Sequence, residues 1–291
     1  MHYNGEEVRD MKQVMPAYYP AFRCVAEQCR HNCCIGWEID IDADTYALYQ
    51  EVPGDFGRRL GEGIAPGEPP TFRLDGAERC VFLNERGLCD IISTLGEEAL
   101  CDICREHPRF YNEFTDRLEM GLGLCCEEAA RLIVNRREPV TFLEEGEESP
   151  APEEAAFFAA RSRAIETLQD RTRPLMERIA ALCPADTRTP AQWAAVYRDL
   201  ERLDGAWDGD LDRLAAQPVF SIPDEVTFEQ LAVYFLYRHL KPEDFARRLA
   251  FSLHAAAVIV TLGGEVADTA RRYSAEVEYS DENIDCLLDC F

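Results

Sequence analysis

The sequence predicts a mainly α-helical fold with a few short strands, in which a cysteine-rich N-terminal domain precedes an α-helical domain. Three observations predict it. Ten of the thirteen cysteines fall between Cys24 and Cys126, so the first half of the chain differs chemically from the second. The stretch 144–154, EEGEESPAPEE, holds six glutamates and two prolines and reads as a solvated linker. Beyond it, apolar residues recur at i, i+3 and i+4, the spacing of helices with one buried face. The expected organisation is a cysteine-rich domain over 1–143, an acidic linker over 144–154 and an α-helical domain over 155–291.

Each element follows from its local pattern. Trp37-Glu38-Ile39-Asp40-Ile41-Asp42 alternates apolar and acidic residues, the period of a half-buried strand. Asp42 or Asp44 then caps a helix carrying Tyr46, Leu48 and Tyr49. Residues 61–70, GEGIAPGEPP, are a loop by composition. Residues 72–74 and 81–83 read as short strands beside Cys80 and Cys89. Residues 96–105 read as a short helix, stopped before Pro108. Residues 117–124 are strand-like, and 127–135 begin a helix. In the second half Phe157, Phe158, Ala164, Ile165 and Leu168 lead into Met176, Ile179 and Leu182. Trp193, Val196, Tyr197, Leu200 and Leu203 mark another helix, Phe228 to His239 a third, and 245–261 a fourth. The aromatic stripe Tyr234, Phe235 and Tyr237 reads as core packing, and 279–291 as a short capped helix.

Composition narrows the function classes. Hydrophobic residues at 47% and charged residues at 29% are those of a globular chain, and 291 residues suffice for two ordinary domains. Thirty basic and 55 acidic residues leave a net charge of −25, which repels phosphate and favours a basic partner; no nucleic acid and no membrane partner is expected. The longest uncharged apolar run, 251–264, is shorter than the ~20 residues of a spanning helix. The N-terminus lacks the apolar core of a secretory signal, so a cytoplasmic location is expected.

The cysteines carry the chemistry. An odd total and two vicinal pairs, Cys33-Cys34 and Cys125-Cys126, argue against a disulfide framework. Crowded thiolates repel one another, and a bound cation or iron–sulfur core removes that penalty. Cys24-x4-Cys29-x3-Cys33-Cys34 places four sulfurs within eleven residues, Cys101-x2-Cys104 spans one helical turn, and Cys80 and Cys89 flank the turn at 84–87. Zinc sites commonly show two C-x2-C pairs, and only one is present. The ferredoxin runs and the C-x3-C-x2-C signature of radical S-adenosylmethionine enzymes are absent, so spacing leaves iron–sulfur and zinc open. His31 and His107 stand near cysteines as further possible ligands. No Gly-rich dinucleotide loop, Walker loop, nucleophile elbow or H-E-x-x-H motif occurs.

These residues resemble a family. Phe22-Arg-Cys24-Val-Ala-Glu-Gln-Cys29-Arg-His-Asn-Cys33-Cys34-Ile-Gly36-Trp37 is similar to the opening motif of the flagellin lysine-N-methylases, the FliB-like proteins. Cys80 to Ile91, followed by Leu95-Gly96-Glu97, Cys104 and Pro108-Arg109, resembles the middle motif, and Leu124-Cys125-Cys126-Glu127-Glu128 the third. Tyr234 to Leu240 and Glu278 to Asn283 resemble its helical C-terminal segments, so the likeness runs over almost the whole chain. A looser likeness extends to small cysteine-rich zinc- or iron-chelating proteins.

The resemblance implies a protein lysine N-methyltransferase that moves a methyl group from S-adenosylmethionine to lysine ε-amines of flagellin or another lysine-bearing protein. It also implies an iron–sulfur cluster, [4Fe–4S], with zinc as the alternative metal. Its cysteine pattern falls on Cys24, Cys29, Cys33, Cys34, Cys80, Cys89, Cys104 and Cys126, enough for two centres or for one with spare thiols. Glu127 stands where a proline would follow the cluster motif, and Cys101 and Cys125 are additional. The methylsulfonium could rest on an aromatic face such as Trp37, a residue that also reads as core. Tyr18, Tyr19, Tyr111, Glu113 and Asp116 lie near the cysteine motifs without one standing out as a base. The alternatives from other classes are a non-catalytic metal-binding or electron-carrier module and a redox or metal sensor.

Overall fold

The computed structural model describes residues 11–184, 186–203 and 205–291. The chain divides after Phe22 and again after Phe110. Arg23–Phe110 is one unit; Tyr111–Phe291, with the segment ending at Phe22, is the other. This division lies elsewhere than the 144–154 boundary expected from composition. Glu144 and Glu148 of that acidic stretch pair with Lys12 at 2.7 and 3.2 Å, and Glu148 also pairs with Arg117 at 2.5 Å. Its charge is partly neutralised within one unit.

The larger unit begins with strand β1, Lys12–Pro16. In the smaller unit α1 (Ala43–Glu51) starts at Asp42, whose carboxylate accepts from Thr45 N at 2.8 Å. Before it, Ile39 and Ile41 are buried while Glu38 and Asp40 are exposed, as the alternation requires, and Ile39 O accepts from Phe72 N at 3.0 Å. Helix α2 runs Gly54–Gly63, so the first three residues of the composition-based loop complete a helix. Gly63 is required by close approach: a Cβ there would meet Cζ of Phe82 at 2.5 Å. Short strands β2 (Ile64–Ala65) and β3 (Thr71–Phe72) pair antiparallel. Helices α3 (Asp90–Leu95) and α4 (Asp102–Glu106) follow. Their core gathers Ile39, Ile41, Tyr49, Leu60, Phe72, Phe82 and Ile91, and Tyr49 donates its hydroxyl to Ala99 O at 2.7 Å.

Strand β4 (Arg109–Glu113) begins before the division at Phe110 and ends after it, and the larger unit continues with β5 (Arg117–Leu122), α5 (Glu127–Val134) and β6 (Phe142–Glu145). The sheet order is β4-β5-β1-β6, with β1 parallel to β5 and antiparallel to β6. Parallel neighbours need a long crossover; here the connection from β1 to β5 contains the whole of Arg23–Phe110.

Helices α6 (Pro152–Gln169), α7 (Leu175–Leu182), α8 (Pro190–Arg198) and α9 (Ala206–Ala215) precede α10 (Glu225–His239) and α11 (Phe245–Leu262). Helix α12 (Val266–Tyr273) runs into a π-helical turn, Ser274–Glu278, and α13 (Asp281–Leu288) closes the described chain. The fold is mainly α, with few and short strands. Helix α10 is buried on nearly every side, from Thr227 to Tyr237. Among the described residues α11 is long and apolar enough by composition to cross a membrane, and 67% of that stretch is buried in the protein.

Candidate functional site

In Arg23–Phe110 a series of short connections brings cysteines together. Cys80 N donates to Cys34 O at 2.9 Å, joining the first cysteine motif to the second. The turn after Cys80 is set by Asn84, whose side chain accepts from Arg86 N and Leu88 N, and by Gly87 at φ +74°. It returns the chain so that Leu83 bridges Cys89. Cys89 precedes α3 and Cys101 precedes α4, with Cys104 one turn further on. Cys80 and Cys101 belong to the unit's core, and Cys34, Cys89, Cys104 and Trp37 pack against it.

The electrostatics show the grouping. The thiols of Cys33 and Cys34 hydrogen-bond each other, as do those of Cys101 and Cys104. Cys34 is pushed well above the usual thiol range by that bond, by burial, and by the charges of Cys33, Cys80 and Cys89. Cys104 is raised likewise by its bond to Cys101, by burial, and by the charges of Cys101, Cys34 and Cys89. Burial raises Cys80 and Cys89, against backbone N–H groups of Phe82 and Leu83 at Cys80 and of Ile91 and Ile92 at Cys89. Charge interactions thus link Cys34 to Cys80, Cys89 and Cys104, and Cys101 to Cys80, Cys89 and Cys104. These thiols cannot all ionise without a counter-charge.

Soft sulfur donors with backbone N–H groups directed at them fit a cysteine-ligated cluster or zinc in kind. Among the described residues no three His, Cys, Asp or Glu donors stand ready-made to hold an ion. Of the remaining expected ligands, Cys33 adjoins Cys34 and acts on its ionisation. Cys24 accepts from Ala26 N at 3.4 Å, and Cys29 donates to His31 O at 3.3 Å. Cys126, at the start of α5, belongs to the other unit. Cys101, absent from the expected set, sits fully buried among the grouped thiols. Trp37 donates its indole N–H to Cys33 O at 2.6 Å and faces the His107 ring at 6.4 Å. Burial lowers His107 to about 4, so the imidazole is neutral at pH 7.

A second constellation, in the larger unit, escaped sequence reading. Tyr234 and Arg238 lie one turn apart on α10, with His239 next. Glu278 ends the π-helical turn, and its fully buried carboxylate receives all three: Tyr234 Oη at 3.0 Å, His239 Nε2 at 2.6 Å and Arg238 Nε at 3.4 Å. Arg238 also donates to Tyr234 Oη at 2.6 Å. Leu124 N donates to the same hydroxyl at 3.2 Å, and Cys125 Sγ lies 2.9 Å from Tyr279 Oη. Burial would raise Glu278, but Arg238 and His239 outweigh it and hold the carboxyl at about 2. Burial lowers His239 despite Glu278, so the neutral ring donates its Nε2 proton. The signal in the sequence was the pairing of Tyr234-x3-Arg238-His239 with Glu278-Tyr279, segments that otherwise read as core helix and tail.

Fold and site define a mainly α-helical protein with a thiol-rich unit inserted in a β-crossover and a buried Tyr–Arg–His–Glu knot. The chain is 27% identical over 135 residues, 44% of its length, to a protein named Lysine-N-methylase from Salmonella typhimurium, and equally to its counterpart from Salmonella choleraesuis. The same identity and coverage relate it to Flagellar biosynthetic protein FliU of Salmonella muenchen, of which 80% is covered. The chain is thus a distant relative of the FliB-like lysine-N-methylases. The match spans 34% of the two methylases' own length. No family model matches, and no solved structure matches.

Proposed function

We propose that this chain is a protein lysine N-methyltransferase, transferring methyl groups from S-adenosylmethionine to ε-amines of flagellin or a similar lysine-bearing protein. The observation that carries the reading is the similarity to proteins named Lysine-N-methylase. The net charge of −25 supports a lysine-rich partner by long-range attraction. Cys34, Cys80, Cys89 and Cys104, with Cys101 beside them, would hold a [4Fe–4S] cluster; zinc is the alternative occupant. When bound, such a cluster supplies positive charge, redox capacity and a covalent staple between distant segments. The chain's own part is to direct backbone N–H groups at Cys80 and Cys89 and to exclude water by packing Phe82, Ile91 and Tyr49.

Incubation of anaerobically purified protein with methyl-labelled S-adenosylmethionine and flagellin tests the reading. Label on flagellin lysines is expected. Absence of label with the metal intact would leave a metal-binding module and defeat the methyltransferase.

A further inference from the structure

The Glu278 knot is costly. A fully buried carboxylate with an arginine, a tyrosine and a histidine stabilises a fold poorly compared with apolar packing, and such arrangements concentrate at functional sites. It sits on a π-helical turn, a distortion enriched at such sites. It also joins three stretches far apart in sequence, at Leu124-Cys125, Tyr234–His239 and Glu278-Tyr279. One end of it reaches solvent: Tyr279 is 54% exposed, while its hydroxyl meets Cys125 Sγ.

We propose that the Tyr279–Cys125 face, backed by Glu278, Tyr234, Arg238 and His239, is the site that receives the acceptor lysine amine. This assignment rests on the methyltransferase reading above. A lysine side chain brings a four-carbon stem and a nitrogen. The exposed Tyr279 ring offers the stem an apolar surface and an incoming ammonium a π face. The Tyr279 hydroxyl oxygen and the Cys125 sulfur offer acceptors to its N–H groups. Behind this face Glu278 pairs with Arg238 at 3.4 Å and with His239 at 2.6 Å.

The step balances with S-adenosylmethionine as co-reactant. The lysine ammonium first gives a proton to water. Its nitrogen lone pair then bonds to the methyl carbon while the carbon–sulfur bond breaks, and that electron pair leaves on sulfur as a neutral thioether. The product is a methylammonium. Tyr279 is the catalytic residue, since it touches the amine. Glu278 and Tyr234 are positioning residues: Glu278 is joined to Tyr279 in the chain, and Tyr234 Oη holds Leu124 N beside Cys125.

Two measurements on the full-length, metal-replete protein test the site. The first is iodoacetamide alkylation followed residue by residue. Flagellin should slow alkylation of Cys125 several-fold, lysine-acetylated flagellin should not, and exposed Cys286 on α13 should be indifferent to both. The second is methyl transfer by Tyr279→Phe, expected to fall by about 10²-fold, the scale for loss of one reacting-site hydrogen bond, with unchanged circular dichroism. Wild-type protein that labels flagellin, while Tyr279→Phe keeps the full rate and Cys125 goes unprotected, overturns the site but not the enzyme. Wild-type protein that labels no lysine defeats the enzyme reading and this site with it.

Discussion

Tyr234 Oη donates to Glu278 Oε1 at 3.0 Å across 44 residues of chain, and this bond ties the middle of α10 to the end of the π-helical turn. The carboxylate it holds is fully buried and fully shared, with His239 at 2.6 Å on the same oxygen.

Stability should depend on this carboxylate in a defined acid window. Its folded value of about 2 lies below the ordinary 4.5, so the unfolded chain binds the proton more readily. The stabilisation is present above 4.5 and is lost as pH falls toward about 2. Glu278→Gln should cost about 3–5 kcal/mol at neutral pH, the scale for breaking a buried pair, and should flatten the pH dependence in that window. Urea unfolding at several pH values measures both, and an unchanged midpoint contradicts the account.

His254 should produce a second acid sensitivity at higher pH. Its ring lies among Trp193 at 3.8 Å, Tyr197 at 6.0 Å, Phe220 at 5.5 Å and Phe291 at 5.6 Å, and its Nε2 has no hydrogen-bond partner. Burial lowers it from 6.5 to about 3. The unfolded chain therefore takes up a proton below 6.5 that the folded ring refuses, and stability declines from there toward about 3. His254→Phe should remove that slope; thermal melts of the variant with an undiminished slope in this range would assign the acid sensitivity to another group.

Much of the fold was legible in the sequence because it rests on local rules. The burial of Ile39 and Ile41 and the cap at Asp42 are found, although 37–42 forms only an isolated bridge from Asp40 to Thr71 and not the expected strand. Helix α13 starts where Ser280 accepts from Asn283 N, as a capped tail should. The strands β1, β4 and β6 were not legible: they are short, and β1 and β5 pair across about a hundred residues, a relation no window contains. Helices α9 and α12 also went unread, lying between stronger stripes. At the candidate site Cys101 packs on the same core as Cys34, Cys80, Cys89 and Cys104, a grouping that burial, not spacing, decides. The Glu278 knot was hidden because its members look like ordinary core and tail residues until α10 and the π-helical turn meet.

Gly63 should resist even alanine. Its missing side chain makes room for the Phe82 ring, itself fully buried in the thiol-bearing unit. Gly63→Ala should destabilise by about 1–3 kcal/mol through overpacking, read as a lower urea midpoint at constant slope. A neutral substitution would mean that Phe82 has room to move.

Metal uptake should depend on pH with a definite sign. Cys34, Cys80, Cys89 and Cys104 are all raised, so at neutral pH they carry protons that a metal must displace. Cobalt(II), followed by its sulfur charge-transfer absorbance, should bind metal-free protein more tightly as pH rises, by about tenfold per pH unit for each proton released. Affinity independent of pH between about 6 and about 8 would mean these thiols are not the ligands.

The most direct test of the central claim is iron, acid-labile sulfide and zinc content per chain after anaerobic purification, in the wild type and in Cys80→Ser. About four irons and four sulfides per wild-type chain are expected, with both lost in the variant. Stoichiometric zinc without sulfide, or no metal at all, would contradict the claim that the thiols of Arg23–Phe110 enclose an iron–sulfur cluster.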